Sequence, residues 1–233
     1  MTALWFGVTL DQLLLIFAIV FVAGFVRGLT GFGLAVILVP LVNLVIAPEQ
    51  TVLLAILIGT LSGFLGFRGA WASCDKVTTT TITLSAIAAT PLGLYLLFHT
   101  PTDIARRAIA AMAVIAFFAV ALPRPPLPPS GKGPAILTGA LAGLMGSFAG
   151  IPGPPVLYYL ARDGVPPART RDAMIVIFLW APLAVAVFAF AAGKLNWPLA
   201  ALAAASFPPL ALGNAIGTRF FGRMPETWWR TAV

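Results

Sequence analysis

Apolar residues run through this chain in long blocks, and the polar residues gather at the ends of those blocks. The blocks cover 13–26, 34–46, 52–67, 78–98, 104–122, 135–148, 156–160, 173–192 and 197–221. A helix needs ~20 residues to cross a hydrocarbon layer of ~30 Å. The blocks at 52–67, 78–98, 104–122, 173–192 and 197–221 come close to that length and predict membrane-spanning helices. The other four are short or interrupted. From Leu122 to Pro134 the sequence LPRPPLPPSGKGP breaks the pattern. Its prolines lack an N–H and fix φ, which predicts a stiff, extended loop in water. The chain thus divides into 1–122, a linker at 123–134, and 135–233.

Composition makes the membrane reading compulsory. Of 233 residues, 60% are hydrophobic and 9% charged, against ~25% charged in soluble domains. A soluble fold of this size cannot hide so much apolar surface. A soluble enzyme, a disordered chain and a nucleic-acid-binding module are excluded, and the lipid bilayer is the expected surrounding. The net charge of +7 is then a property of loops at the membrane surface. One cysteine, Cys74, allows no intramolecular disulfide, and one histidine, His99, leaves little for metal or general-base chemistry. No cofactor is expected. Met1 to Leu10 holds no Lys or Arg, so the basic start of a cleaved signal peptide is missing and the first helix is expected to be retained.

The two halves resemble each other. The stretch GFVRGLTGFG, Gly24 to Gly33, lies 119 positions before GLMGSFAGIP, Gly143 to Pro152. The same shift places Gly31 on Gly150, Pro48 on Pro167 and Thr51 on Thr170. A shift of 124 places Leu92-Gly93 on Ile216-Gly217, Pro101 on Pro225 and Arg106 on Arg230. Internal repeats of this kind are common in transporters. In the first half Pro101 and Arg106 lead into the block 104–122, whereas the sequence stops at Val233, just past Pro225 and Arg230. The last helix of the second repeat is therefore expected to be missing or truncated.

Charge placement bears on topology. The opening stretch 11–46 would reach about 54 Å as one helix, too long for one span. It either enters and returns as a re-entrant hairpin or makes one net crossing. With hairpins in both halves, and Arg27 set aside, ten Lys and Arg fall on one side, and Arg106, Arg107 and Lys194 on the other. The single crossing divides them eight against five. The positive-inside rule favours hairpins. The first repeat then has three full crossings, an odd number, so the second enters from the opposite face and the repeats are inverted in topology. The expected fold is an all-α integral membrane protein of two inverted-topology repeats, each opening with a broken, re-entrant hairpin. The N-terminus is expected outside and the Pro-rich linker and C-terminal end inside.

The breaks hold the candidate chemistry. In Arg27-Gly-Leu-Thr-Gly-Phe-Gly33, glycines at 28, 31 and 33 permit non-helical backbone and close ligand approach. Such backbone survives at membrane depth only beside protein or a watery cavity. A helix restarting near Gly33 would aim free N–H groups and its positive end at the break, which suits an anion. Thr30 adds a hydroxyl donor. The alternative is glycine-mediated helix packing. In the second break Pro152, Pro154 and Pro155 rule out a continuous helix. The donors there are the hydroxyl of Ser147 and the backbone of Gly150, Ile151 and Gly153. Arg27 is a functional candidate if deep, or a snorkelling side chain if it ends a span. The candidate binding set is Arg27, Thr30, Gly31, Phe32, Gly33, Ser147, Gly150, Ile151 and Gly153. All seven Asp and Glu fall near block ends or loops, so coupling through a buried carboxylate is not expected.

Two broken, glycine-rich openings, 24–40 with its Gly-Phe-Gly core and 143–157, resemble the sulfite exporter TauE/SafE family of membrane anion transporters. The Leu92-Gly93 and Ile216-Gly217 segments with their following Pro-x-x-x-x-Arg fit as well. The three prolines of the second break depart from the family's glycine-rich pattern. The resemblance implies export of sulfite, sulfonates or related organosulfur anions across the inner membrane. A small anion is then the expected partner, carried by alternating access. A passive anion channel and a non-transporting membrane subunit stay open beside that reading.

Overall fold

The computed structural model describes residues 6–31, 33–121 and 131–221. Eleven helices order them: α1 (Leu10–Thr30), α2 (Leu34–Val42), α3 (Pro48–Gly63), α4 (Phe67–Ser73), α5 (Lys76–His99), α6 (Thr102–Ala121), α7 (Lys132–Ala149), α8 (Gly153–Arg162), α9 (Pro167–Ala191), α10 (Trp197–Ala205) and α11 (Phe207–Phe221). Four spans among the described residues are long and apolar enough to cross a membrane, or five if the bent pair α3–α4 counts as one. The protein is a multi-pass, all-helical membrane protein.

Local chemistry sets the boundaries. Thr9 caps α1 in a reciprocal box with Gln12, which satisfies first-turn N–H groups. The helix stops at Gly31, whose φ of 81° is left-handed and whose N–H closes on the Arg27 carbonyl at 2.7 Å. α2 restarts after Gly33, also left-handed at φ 91°. α7 stops the same way at Gly150, φ 71°, and α8 restarts after Pro152. The 119-position shift thus holds for three boundaries: the end of α1 and α7, the start of α2 and α8, and the prolines that open α3 and α9. A proline suits the first turn of a helix because its missing N–H is an orphan there anyway.

One expected span is divided, and another, still long and apolar enough to cross a membrane, carries a turn. The block 52–67 becomes α3 and α4, bent by 73°, with left-handed Gly66 (φ 91°) opening α4. The block 197–221 turns at Ser206, because Pro208 and Pro209 remove N–H groups that a continuous helix would need. The helix α7 begins at Lys132, inside the range read as linker. The linker residues 123–130, together with Pro225, Trp228, Arg230 and the expected truncation of the second repeat, lie outside the described residues.

Close approaches at glycine build the bundle. The helix α2 returns along α1, since Gln12 Nε2 at the start of α1 donates to the Val45 carbonyl just past the end of α2 at 3.4 Å. Then α1 packs on α11, with Gly24 against Leu210, Gly28 against Asn214 and Gly217, and Gly213 against Phe21 and Phe25. In the same way α7 packs on α5, with Gly139 against Ile82, Gly143 against Ala86 and Gly93 against Leu144 and Ser147. Numbers rise together in both pairs, so each pair is parallel. Between α3–α4 and α9 they run in opposition: Gly63 meets Leu179, and Ser73 Oγ donates to Asp172 at 2.5 Å. Each half therefore lays its first helix on a later helix of the other half, and α3 and α9 meet antiparallel at the seam. Small residues let these backbones touch, which replaces the hydrophobic drive that lipid removes.

Candidate anion-binding site

Both helix breaks open onto one cavity. Its wall is formed by Arg27 at the end of α1, Gly33 to Val36 at the start of α2, Ala55, Ile56, Gly59 and Ser62 of α3, and Thr90 of α5. Ala142, Gly143 and Gly146 of α7, Gly150 to Gly153 of the second break, and Phe178, Ala181, Pro182 and Val185 of α9 complete it. The space open to the centre of a water molecule is about 60 Å³. One water needs ~10–15 Å³ by the same measure. The cavity therefore has room for a few waters or one small oxyanion. Its wall is almost wholly apolar, and no carboxylate lines it.

Arg27 is the one charged group in that wall. It is 4% exposed, enclosed by protein at the end of α1. Its Nη2 donates to the Ser62 carbonyl at 3.0 Å, while its Nε is buried without a hydrogen-bond partner. The Ser62 carbonyl belongs to the last turn of α3, where orphan carbonyls and the negative helix end favour a cation. Among the described residues no carboxylate pairs with Arg27. The guanidinium is thus held by a neutral group, and its charge stays uncompensated at the cavity. A buried, unpaired charge is costly, and a bound anion offsets that cost directly.

The backbone supplies a second donor group. The first bond within α2 runs from Ile37 N–H to the Gly33 carbonyl, 3.2 Å. The N–H groups of Leu34, Ala35 and Val36 precede it and have no partner inside the helix. Gly33 provides no side-chain cap, and all three residues line the cavity. This is the positive end of α2, aimed at the same space as Arg27.

The sequence-derived candidates divide on this geometry. Arg27, Gly33, Gly150, Ile151 and Gly153 share the cavity wall. The N–H groups of Gly150 and Ile151 are already bonded, to the Gly146 carbonyl at 2.9 Å and the Met145 carbonyl at 3.4 Å. They close α7 rather than point at a ligand. Ser147 is fully buried and donates to the Gly143 carbonyl at 2.7 Å. It faces Gly93 of α5 and is absent from the cavity wall. A helical serine with no outside partner bonds back to the preceding turn. Gly28, read as part of the break, lies inside α1 and serves packing on α11. Gly31 supplies the left-handed turn but faces Arg171. Thr30 ends α1; its side chain and the whole of Phe32 lie outside the described residues. Sequence reasoning assigned Arg171 to a loop. It is half-buried on α9, with its stem across Gly31 and its Nη2 at 3.5 Å from the Gly28 carbonyl. Only its position one turn past Pro167, the proline paired with Pro48, pointed that way.

The family model described as sulfite exporter TauE/SafE matches residues 16–233. A curated relative from Cupriavidus necator, named probable sulfite/organosulfonate exporter TauE, is 24% identical over 200 residues, covering 83% of this chain and 78% of the relative. No solved structure matches the chain.

Proposed function

The chain belongs to the sulfite exporter TauE/SafE family, a family of transporters and not of enzymes, and on that footing we propose that it exports small sulfur-containing anions across the inner membrane. Sulfite, sulfonates and related organosulfur anions are its substrate class. The anion binds in the cavity between the two breaks, against the Arg27 guanidinium and the first-turn N–H groups of Leu34 to Val36. The observation that carries this reading is Arg27 itself: a buried cation with no carboxylate partner among the described residues, in the wall of a cavity of anion size.

The two halves form an inverted-topology repeat, each opening with a re-entrant hairpin. The return of α2 along α1 supports the hairpin, and the antiparallel meeting of α3–α4 with α9 supports inversion. The surplus of Lys and Arg on one side supports an outside N-terminus and a cytoplasmic Pro-rich linker. Access alternates by movement of one part of the repeat pair against the rest.

An inside-negative potential favours outward movement of an anion by ~2.3 kcal/mol per charge per 100 mV. No carboxylate lines the cavity, and export is electrogenic and uncoupled from protons. The test is sulfite efflux from proteoliposomes under a potassium–valinomycin potential. Saturable efflux accelerated by voltage is expected. Efflux that ignores voltage but follows a proton gradient defeats the electrogenic mechanism, and ohmic single-channel currents replace the carrier with a channel.

A further inference from the structure

The cavity differs at its two ends. One side of it follows α3 from Ala55 to Ser62, about 10 Å of helix. Arg27 donates to the Ser62 carbonyl, so the charge stands at the Ser62 end. The second break stands at the other, where a Cβ on Gly150 would lie 3.6 Å from the Ala55 side chain. The helix α9 runs against α3, with Leu179 at Gly63. Val185, further along α9, therefore lies toward Ala55 as well.

The Ala55 end offers an anion almost nothing. The N–H groups of Gly150 and Ile151 close α7, and Pro152, Pro154 and Pro155 have none. Within 150–155 only Gly153 keeps an N–H to offer. Both hydroxyls in the cavity wall are committed. Thr90 donates to the Ala86 carbonyl at 3.0 Å, and Ser62 to the Gly59 carbonyl at 2.7 Å. Ala55, Ile56, Ile151, Pro152, Ala181 and Val185 supply hydrocarbon. Among the described residues no charged group other than Arg27 lines the cavity.

A sulfur anion in this space meets two environments. Its oxygens match the Arg27 guanidinium and the first turn of α2, while the remaining substituent on sulfur faces hydrocarbon. We infer that the site reads that substituent: Ala55, Ile151, Ala181 and Val185 form a pocket for a short, uncharged alkyl group, and the preferred ligand is a small alkanesulfonate monoanion. The inference rests on the anion-transport reading and narrows it. Sulfite uses the same site but binds less tightly, because it has no carbon to bury there. A second charge on the ligand is rejected. A carboxylate at the Ala55 end would lie in apolar surroundings without a cation, and an ammonium there without a carboxylate. At ~10–15 Å³ per water, the space of about 60 Å³ holds a sulfonate head and roughly one or two carbons.

The test is calorimetric titration of the purified full chain in detergent at neutral pH. The ligands are sulfite, sulfate, methanesulfonate, ethanesulfonate, 2-aminoethanesulfonate and carboxymethanesulfonate. Ethanesulfonate is expected to bind about fourfold tighter than methanesulfonate, the effect of one buried CH2. Sulfite, sulfate and both charged-tail sulfonates should each bind roughly tenfold or more weakly than ethanesulfonate. Two variants read the pocket through ratios of affinities within one protein, which a general loss of stability leaves unchanged. Gly59 lines the cavity, and a Cβ there meets nothing within 4 Å. Gly59→Leu should therefore fill the space and reverse the order of ethanesulfonate and methanesulfonate. Val185→Ala widens the wall and should move the optimum to propanesulfonate. Equal affinity for methanesulfonate and ethanesulfonate in the parent overturns the inference and leaves the anion site standing. Tightest binding of sulfite, sulfate or a charged-tail sulfonate does the same, as does a parent order that both variants keep. Binding of none of these ligands by folded protein removes the anion-transport reading, and the inference with it.

Discussion

Arg27 illustrates how one side chain gains a function from its surroundings. Among the described residues its guanidinium has one acceptor, the Ser62 carbonyl, and its buried Nε has none. A hydrogen bond to a charged group contributes about 1.5–3 kcal/mol, so Arg27→Gln is expected to lower efflux at sub-saturating anion by roughly 10- to 100-fold. Flux beside a size-exclusion profile checks this, and unaltered flux from folded protein removes Arg27 from the site. Asp75 plays the opposite, purely structural part. It caps α5 by accepting from the N–H groups of Val77 and Thr78 at 3.2 and 3.4 Å. A hydrogen bond with the Thr78 side chain, and then these backbone bonds, hold its carboxyl below the usual aspartate range. A lowered native value means the cap stabilises fully above the ordinary aspartate value and loses that contribution as pH falls through the native one. Asp75→Ala is expected to cost ~1 kcal/mol near neutral pH, with the difference from wild type narrowing in acid. A difference in thermal unfolding that does not change with pH counts against the charged cap.

At the scale of elements, glycine does two separable jobs. Gly31, Gly33 and Gly150 supply left-handed backbone at the breaks, whereas Gly139 and Gly213 only bring helices together. A Cβ on Gly139 would strike the Ile82 carbonyl, and one on Gly213 the Phe21 carbonyl. Neither backbone can move cheaply in a packed pair. Gly139→Ala and Gly213→Ala should each lower the unfolding temperature. Gly69 of α4 meets nothing within 4 Å, so Gly69→Ala should raise stability by about 0.5–1 kcal/mol, the usual cost of a helical glycine. Equal responses at all three positions would show that these contacts do not hold α1 on α11 and α7 on α5. The breaks themselves were legible in the sequence, because Gly-x-Gly and Pro-x-Pro-Pro each forbid a helix for a local reason. The bend between α3 and α4 was not, since Ser62 to Phe67 keeps the composition of a span and only a left-handed Gly66 divides it.

At the scale of the whole molecule the charged residues mark two ends. Lys194 pairs with Glu49 at 3.4 Å and sits 4.8 Å over the Phe98 ring, beside the start of α3. Arg27 and Arg171 gather near the other end of α3. Exposed ion pairs contribute little to stability, so either end accepts a probe. With Cys74→Ala as background, Lys194→Cys on intact cells should react with a membrane-impermeant maleimide and Arg169→Cys should not. The reverse labelling would invert the topology.

The sequence by itself determined what depends on neighbours along the chain. Membrane residence followed from composition and the helix breaks from local glycine and proline chemistry; the 119-position shift read from the sequence recurs in three helix boundaries. It also singled out Arg27 as a charge in an apolar stretch. Tertiary structure alone decided which donors are already bonded. Ser147 and the N–H groups of Gly150 and Ile151 look available in sequence, yet each bonds within three to six residues of itself. Arg171 reads as a loop cation, yet it crosses 140 residues of chain to lie on Gly31. A donor's availability depends on what packs against it, and in a bundle that crosses its two halves, those neighbours come from the far half of the chain.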